Sequence, residues 1–228
     1  MRLFCLNEDM KFNIITLFPK QTKTMLDFSI LKNAQEKDLI SIDFHNLRDF
    51  GFGKFKQVDD TPYGGGSGMV LKPDVVLPAI ESVKKSNPRA KVIALTPKGI
   101  RFNQAKAEEL AKEKNLILVA GHYEGFDQRI LDEVDEQISI GDFVITGGEL
   151  AAAVVVDAVA RLQAGVLADN SAHEESHSLK NDKGERLVEY PQYTRPEVYK
   201  DKKVPDVLLS GNHQKIADWR EQQSKKTK

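Results

Sequence analysis

Apolar and polar positions along this chain fall into short blocks whose period switches back and forth between that of a strand and that of a helix. Lys11-Phe-Asn-Ile-Ile-Thr-Leu-Phe18, opened by Met10, reads as a strand, and Leu39-Ile-Ser-Ile-Asp-Phe44 reads as a second with period two. Between them, beyond Pro19, residues Met25, Phe28, Ile30, Leu31 and Ala34 are spaced for one buried helical face. Pro73 opens a further helix carrying Val75, Val76, Leu77, Ile80 and Val83, and Asn87-Pro88 ends it. The rhythm continues through strand Lys91–Thr96, helix Gln104–Lys114 and strand Asn115–Ala120. A compressed repeat follows: helix Asp127–Val134, short strands Ile138–Ile140 and Phe143–Thr146, and helix Gly148–Leu162. Short apolar strands alternating with helices predict an α/β fold with a parallel sheet covered on both faces. The last helix holds Ala151-Ala-Ala-Val-Val-Val156 and is apolar almost all round. It is expected to be buried on several sides, either in the core or against another subunit.

The remaining stretches read differently. Residues 1–9 form an extension, with Met10 as an alternative start. Arg48 to Met69 is irregular and rich in Gly and Phe. Residues 163–189 turn polar and charged, as a flexible linker would. A small helical domain, 190–228, has Trp219 as its large anchor. The main domain is therefore expected over 10–162.

Composition narrows the classes. A chain of 228 residues with 40% hydrophobic residues can bury a core without disulfides or a structural metal. One cysteine makes no internal disulfide, there is no secretory apolar region, and no run approaches the ~18 apolar residues of a membrane span. A cytoplasmic protein with no membrane contact is expected. The formal charge of −1 excludes a globally basic nucleic-acid binder. Charge is uneven, however. From Arg195 to Lys228, nine Lys and Arg stand against five acids, an excess suited to phosphates.

Candidate chemistry lies in four loops at predicted strand ends, where open α/β sheets place ligands. They are Thr96-Pro97-Lys98-Gly99, Gly121-His122-Tyr123-Glu124-Gly125, Ser139-Ile140-Gly141-Asp142 and Thr146-Gly147-Gly148-Glu149. Any one alone reads as a turn, but four on consecutive strands predict a cleft. Neither a Walker A pattern nor G-x-G-x-x-G occurs, so no nucleotide-phosphate cradle is expected. Asp59 to Met69 carries a second glycine cluster, in which Pro62, Tyr63 and paired acids favour a shaped loop over a spacer. His173-Glu174-Glu175-Ser176-His177 matches the zinc-peptidase pattern H-E-x-x-H. Its neighbours Asp169, Asn170, Ser171, Lys180, Asn181, Asp182, Lys183 and Gly184 make loop composition, not an amphipathic helix. A chance match is the better reading, and no metal site is expected.

Taken together, these blocks resemble the bacterial tRNA (guanine-N1)-methyltransferases, the TrmD family of the SPOUT class. The resemblance runs from Met10 to about Ser224. It rests on Ile15-Thr-Leu-Phe-Pro19, the Pro62–Met69 loop, Gly121–Gly125, Ser139–Leu150, Asp157-Ala-Val-Ala-Arg161, Tyr193-Thr-Arg-Pro-Glu197 and Val207-Leu-Leu-Ser-Gly-Asn-His213, in that order. It implies methyl transfer from S-adenosyl-L-methionine (AdoMet) to N1 of the guanosine 3′ of the anticodon. It also implies a deep trefoil knot, a small all-α C-terminal domain and a homodimer whose active sites combine both subunits. Mg²⁺ is a further family expectation. The cofactor contacts that it implies are Pro97, Gly99, Gly121, Tyr123, Glu124, Ser139, Ile140, Gly141, Asp142, Phe143, Val144, Ile145, Gly147 and Gly148. The implied RNA contacts are Asp59, Gly64, Arg195 and His213.

The reaction sets its own demands. Guanine N1 carries a proton at neutral pH, so a carboxylate base must remove it, and a cation must meet the charge that builds on O6. By resemblance the cation is Arg161. The family's Glu-Asp-Ser appears here as Glu174-Glu175-Ser176, which by register makes Glu175 the base, with Glu174 as the alternative. His122 stands where familiar members often carry Arg, and Lys180 to Arg186 reads as an insertion lengthening a lid. Three rivals remain: a SPOUT enzyme on another RNA, a zinc peptidase, and an RNA-binding module without activity.

Overall fold

The computed structural model describes residues 9–168, 175–181 and 183–226. The chain divides into two compact units, Met1–Leu167 and Ala168–Lys228. The first is built on five parallel strands: β1 (Met10–Thr16), β2 (Ile40–Asn46), β3 (Lys91–Arg101), β4 (Asn115–Ala120) and β5 (Glu136–Ser139). Their order across the sheet is β2-β1-β4-β3-β5. Central strands buried on both faces need apolar side chains at odd and even positions alike, which is why β4 reads as a continuous apolar run from Leu116 to Ala120. Phe12, Ile14, Ile93, Leu95, Leu116 and Leu118 enter one core. Their neighbours Ile15, Val92, Ile117 and Val119 enter the other.

Helices cover both faces. Helices α1 (Pro19–Leu26), α2 (Ser29–Glu36), α4 (Gln104–Leu110) and α6 (Gly148–Ala160) supply the first core, and α3 (Pro73–Ser86) and α5 (Gln128–Leu131) supply the second. Asn13 is, with Thr16, a polar residue buried inside β1. It is fully buried, with its amide donating to the Leu116 carbonyl at 3.4 Å and its oxygen 3.2 Å from His45 Nε2.

Three local expectations change. The single helix expected after Pro19 is two helices, broken where Phe28 is extended and Ser29 takes a φ of +50°. Leu31 and Ala34 are buried as the spacing requires and Met25 is half-buried, whereas Phe28 and Ile30 are exposed. Phe143–Thr146, expected as a strand, is irregular, because the chain leaves β5 at the edge of the sheet with no strand beside it to complete a ladder. In the second unit, α7 (Asp206–Leu209) and α8 (His213–Gln223) are accompanied by two-residue ribbons, Leu187–Val188 with Lys225–Lys226 and Val198–Tyr199 with Lys202–Lys203. That unit is thus not purely helical. Trp219 anchors it, with the rings of Tyr190 and Tyr193 each 6.3 Å away.

Candidate functional site

All five strands run the same way, so their carboxyl ends gather at one edge of the first unit. Three chain segments meet there: Leu95–Lys98 from β3, Gly121–Phe126 from β4, and, running from β5 into α6, Ile138–Ile140 with Phe143–Gly148. Together with Ala151 they line a cleft of about 200 Å³. Its walls are largely apolar, from Leu95, Ile138, Ile140, Val144 and Ile145. Backbone groups of the strand-end turns and the Glu124 carboxylate supply polarity.

Close backbone approach builds the cleft. Beyond β5 the chain returns to the end of β4, where Gly148 N donates to the Gly121 carbonyl at 2.7 Å. A Cβ on Gly148 would stand 2.6 Å from Gly121 N, and one on Gly121 would stand 2.8 Å from the Phe126 ring. Both must be glycine for these segments to touch. The Gly-rich loop is laced to the same edge: Glu124 N donates to Met69 O, and Leu71 N donates to Gly125 O, each at 2.9 Å.

Behind the cleft lies a buried polar chain. Glu149 is buried at the start of α6, where one carboxylate oxygen accepts from Thr16 Oγ1 at 2.7 Å. The other lies 3.2 Å from His122 Nε2. His122 in turn packs against the rings of Phe18 and Tyr123, with centroids 5.2 and 5.7 Å away. This places His122 in the cleft wall with its ring held from behind. Residue patterning missed the connection, although an acid in the first turn of a largely apolar helix was its visible signal.

Of the cofactor candidates, Pro97, Gly121, Tyr123, Glu124, Ser139, Ile140, Phe143, Val144, Ile145, Gly147 and Gly148 line this cleft. Leu95, Thr96, Lys98, His122, Gly125, Phe126, Ile138, Thr146 and Ala151 line it too, and were not among them. Gly99, Gly141 and Asp142 stand outside. Gly99 lies within β3 and faces the neighbouring strand β5, where a Cβ would come within 2.4 Å of Ile138 N. Gly141 closes a turn with Ser139, whose hydroxyl donates to its carbonyl at 2.9 Å. Asp142 is paired with Arg101.

The other candidates are spread over both units. Asp59 lies on a short ribbon, Asp59–Asp60 with Val70–Leu71, and Gly64 sits in the open loop beyond it at a φ of +87°. Arg161 caps the end of α6. Glu175, Arg195 and His213 belong to the second unit: Glu175 in a turn, Arg195 exposed, and His213 as the first residue of α8. Of the H-E-x-x-H match, His173 and Glu174 lie outside the described residues. Residues 175–178 form a turn, and His177 has a φ of +69°, which a metal-binding helix does not allow. Among the described residues, no three His, Cys, Asp or Glu side chains are placed to hold a metal ion, and no helix is long and apolar enough to cross a membrane.

Residues 10–228 match the family model described as tRNA (Guanine-1)-methyltransferase TrmD. The chain is 54% identical over 217 residues to a tRNA (guanine-N(1)-)-methyltransferase of Geotalea uraniireducens, covering 94% of this chain and 85% of that protein. It is 51% identical over 216 residues to a protein of the same name from Geobacillus kaustophilus, covering 94% and 86%. Against one from Dehalococcoides mccartyi it is 50% identical over 218 residues, again covering 94% and 86%.

Proposed function

The chain belongs to the tRNA (guanine-1)-methyltransferase family, and from that premise we infer that it methylates N1 of a guanine in tRNA, the guanosine 3′ of the anticodon at position 37. The observation that carries this reading is the glycine-built cleft at the carboxyl edge of the sheet, in a chain whose relatives over nearly its whole length bear that name.

AdoMet is the methyl donor, and the cleft suits it chemically. Its apolar walls match an adenine ring and an aliphatic chain, the turn backbones offer hydrogen bonds, and Glu124 offers a carboxylate to an amine. A Cβ on Gly121, Gly147 or Gly148 would meet a neighbouring group, so this part of the wall allows no side chain. Bound there, AdoMet supplies a sulfonium-activated methyl group. The residues of the chain do the rest. Glu175 takes the N1 proton, with Glu174 as the alternative carboxylate. Arg161 meets the charge that develops on O6. The cleft fixes the direction of attack, and orientation contributes much of the remaining acceleration. Asp59, Gly64, Arg195 and His213 bind RNA in this reading. For Mg²⁺ the described residues present no fitting donor set, and no step is derived through it.

The same reading assigns 10–162 as the methyltransferase domain, 163–189 as a lid and 190–228 as the tRNA-binding domain, in a protein that works in the cytoplasm, where tRNA is. It includes the SPOUT trefoil knot. In support, the chain leaves β5 at the sheet edge yet returns to bond Gly121 at the end of β4. It also includes a homodimer. In support, Leu150 and Val154, one turn apart on α6, are 53% and 46% exposed although apolar.

The test is incubation with labelled AdoMet and an unmodified tRNA transcript, beside a transcript whose position-37 guanosine is replaced. Label is expected only in the first, as 1-methylguanosine. Equal labelling of both would shift the target to another nucleotide, and labelling of neither would remove the activity.

A further inference from the structure

A second constellation lies away from the cleft, in the irregular segment between β2 and α3. Phe52 and Gln57 exchange backbone hydrogen bonds, Phe52 N to Gln57 O at 3.0 Å and Gln57 N to Phe52 O at 2.9 Å. Lys56 N donates to Gly53 O at 3.2 Å, closing a tight hairpin tip. The tip presents Phe55 84% exposed, flanked by exposed Lys54 and Lys56. Its base is rigid. A Cβ on Gly51 would stand 2.5 Å from the Lys56 carbonyl oxygen, and Lys72 Nζ sits 4.7 Å over the Phe52 ring.

Two features of this tip have no account in folding. A phenyl ring held almost wholly in water by a rigid turn adds nothing to a core. Lys56 takes a φ of +52°, a left-handed conformation that glycine or asparagine adopts at lower cost. Among the described residues its ammonium pairs with the exposed Asp49, at 3.3 Å, an arrangement worth little in water. Over residues 48–58, Arg48, Lys54 and Lys56 stand against the single acid Asp49, in a chain whose total is −1.

We propose that this hairpin is a stacking platform for an unpaired base of the RNA substrate, with Phe55 as the platform and Lys54 and Lys56 as contacts to the flanking phosphates. An exposed ring accepts the face of any base, and cations beside it track the backbone, which is the recurring chemistry of single-stranded nucleic-acid binding. The proposal rests on the reading that tRNA is the substrate. It adds a contact outside the reaction centre, one that holds the RNA but not the cofactor.

The test uses the full-length protein, with tRNA binding measured by fluorescence anisotropy over a range of KCl concentrations and turnover measured separately. Phe55→Ala is expected to weaken tRNA binding roughly 5- to 100-fold, and Phe55→Trp to stay within about twofold of wild type, because stacking tolerates any aromatic ring. AdoMet affinity and kcat at saturating tRNA should not move. Lys56→Gly relieves the backbone, so its Tm should hold or rise while the slope of log Kd against log salt becomes shallower by about 0.7. Wild-type tRNA affinity in Phe55→Ala overturns the proposal. So does a shift of RNA-free Phe55→Ala to a lighter sedimenting species, which makes the tip a subunit contact. Because binding is read apart from turnover, a wild-type protein that binds tRNA without methylating it would count against the activity alone, and the Phe55 comparison would still decide the hairpin.

Discussion

Gly147 shows how little room stands between the cleft and the polar chain behind it. A Cβ there would lie 2.3 Å from His122 Nε2 and 2.6 Å from Glu149 Oε2. Gly147→Ala must therefore push the pair apart, costing about 1–3 kcal/mol of stability in urea unfolding and weakening AdoMet binding by calorimetry. Unchanged values for both would mean the pair yields freely. Glu175→Gln probes chemistry instead. It keeps the shape but cannot accept the N1 proton, so AdoMet binding should persist while turnover falls by about 10²–10⁴. Near-normal turnover would move the base to Glu174. His45 gives a pH signature. Burial pushes its pKa below 6.5, Lys11 pushes the same way, and Asp43 opposes them. The unfolded chain then binds a proton near 6.5 that the folded protein refuses. Stability is full above that value and declines as the pH falls through it toward the lowered folded value. Urea midpoints measured between about pH 7.5 and 5.5 should fall, and His45→Gln should flatten that slope. A variant with an unaltered slope would place the proton elsewhere.

At the scale of elements, the amino ends of the strands act as an anchor opposite the cleft. Glu136, at the start of β5, pairs with Lys91 of β3 at 2.8 Å and with Lys106 of α4 at 2.7 Å. Glu109 joins the same two lysines, at 3.3 and 2.7 Å. Burial alone would lower the pKa of Lys91, but bonds and charge from Glu136 and Glu109 outweigh it and raise it. Lys106, followed by Lys91, lowers that of Glu109. The contribution of Glu109 is thus present above the ordinary carboxylate range and disappears only as the pH falls through its lowered value. Glu136→Gln leaves two half-buried ammonium groups short of a partner. It should cost about 1–3 kcal/mol in urea unfolding, without changing AdoMet affinity. A stability equal to wild type would show these lysines to be satisfied by water.

For the whole molecule, the decisive question is what covers the outward face of α6. Eight of its residues are buried, as its composition demanded, yet Leu150 and Val154 remain in water. Leu150→Glu puts a charge where a second subunit would sit. Sedimentation should then show a lighter species, and turnover should fall with it if, as proposed, the active site combines both subunits. Wild-type mass with Leu150→Glu would place the interface on another face.

By itself the sequence determined the α/β layering, because apolar period and glycine punctuation act locally along β1, β4 and α3. It also located the strand-end loops of the cleft, since turns need glycine wherever they occur. It could not tell which loop residues face a ligand. Gly99 and Gly121 look alike in sequence, but one packs within the sheet against the backbone of β5 and the other faces the cleft. It misjudged Phe143–Thr146, whose apolar residues suit a strand that the sheet edge leaves without a partner. Only the tertiary structure joined Thr16, His122 and Glu149. Hydrogen bonds between residues more than a hundred positions apart depend on how strands are ordered in a sheet, and local pattern carries no record of that order.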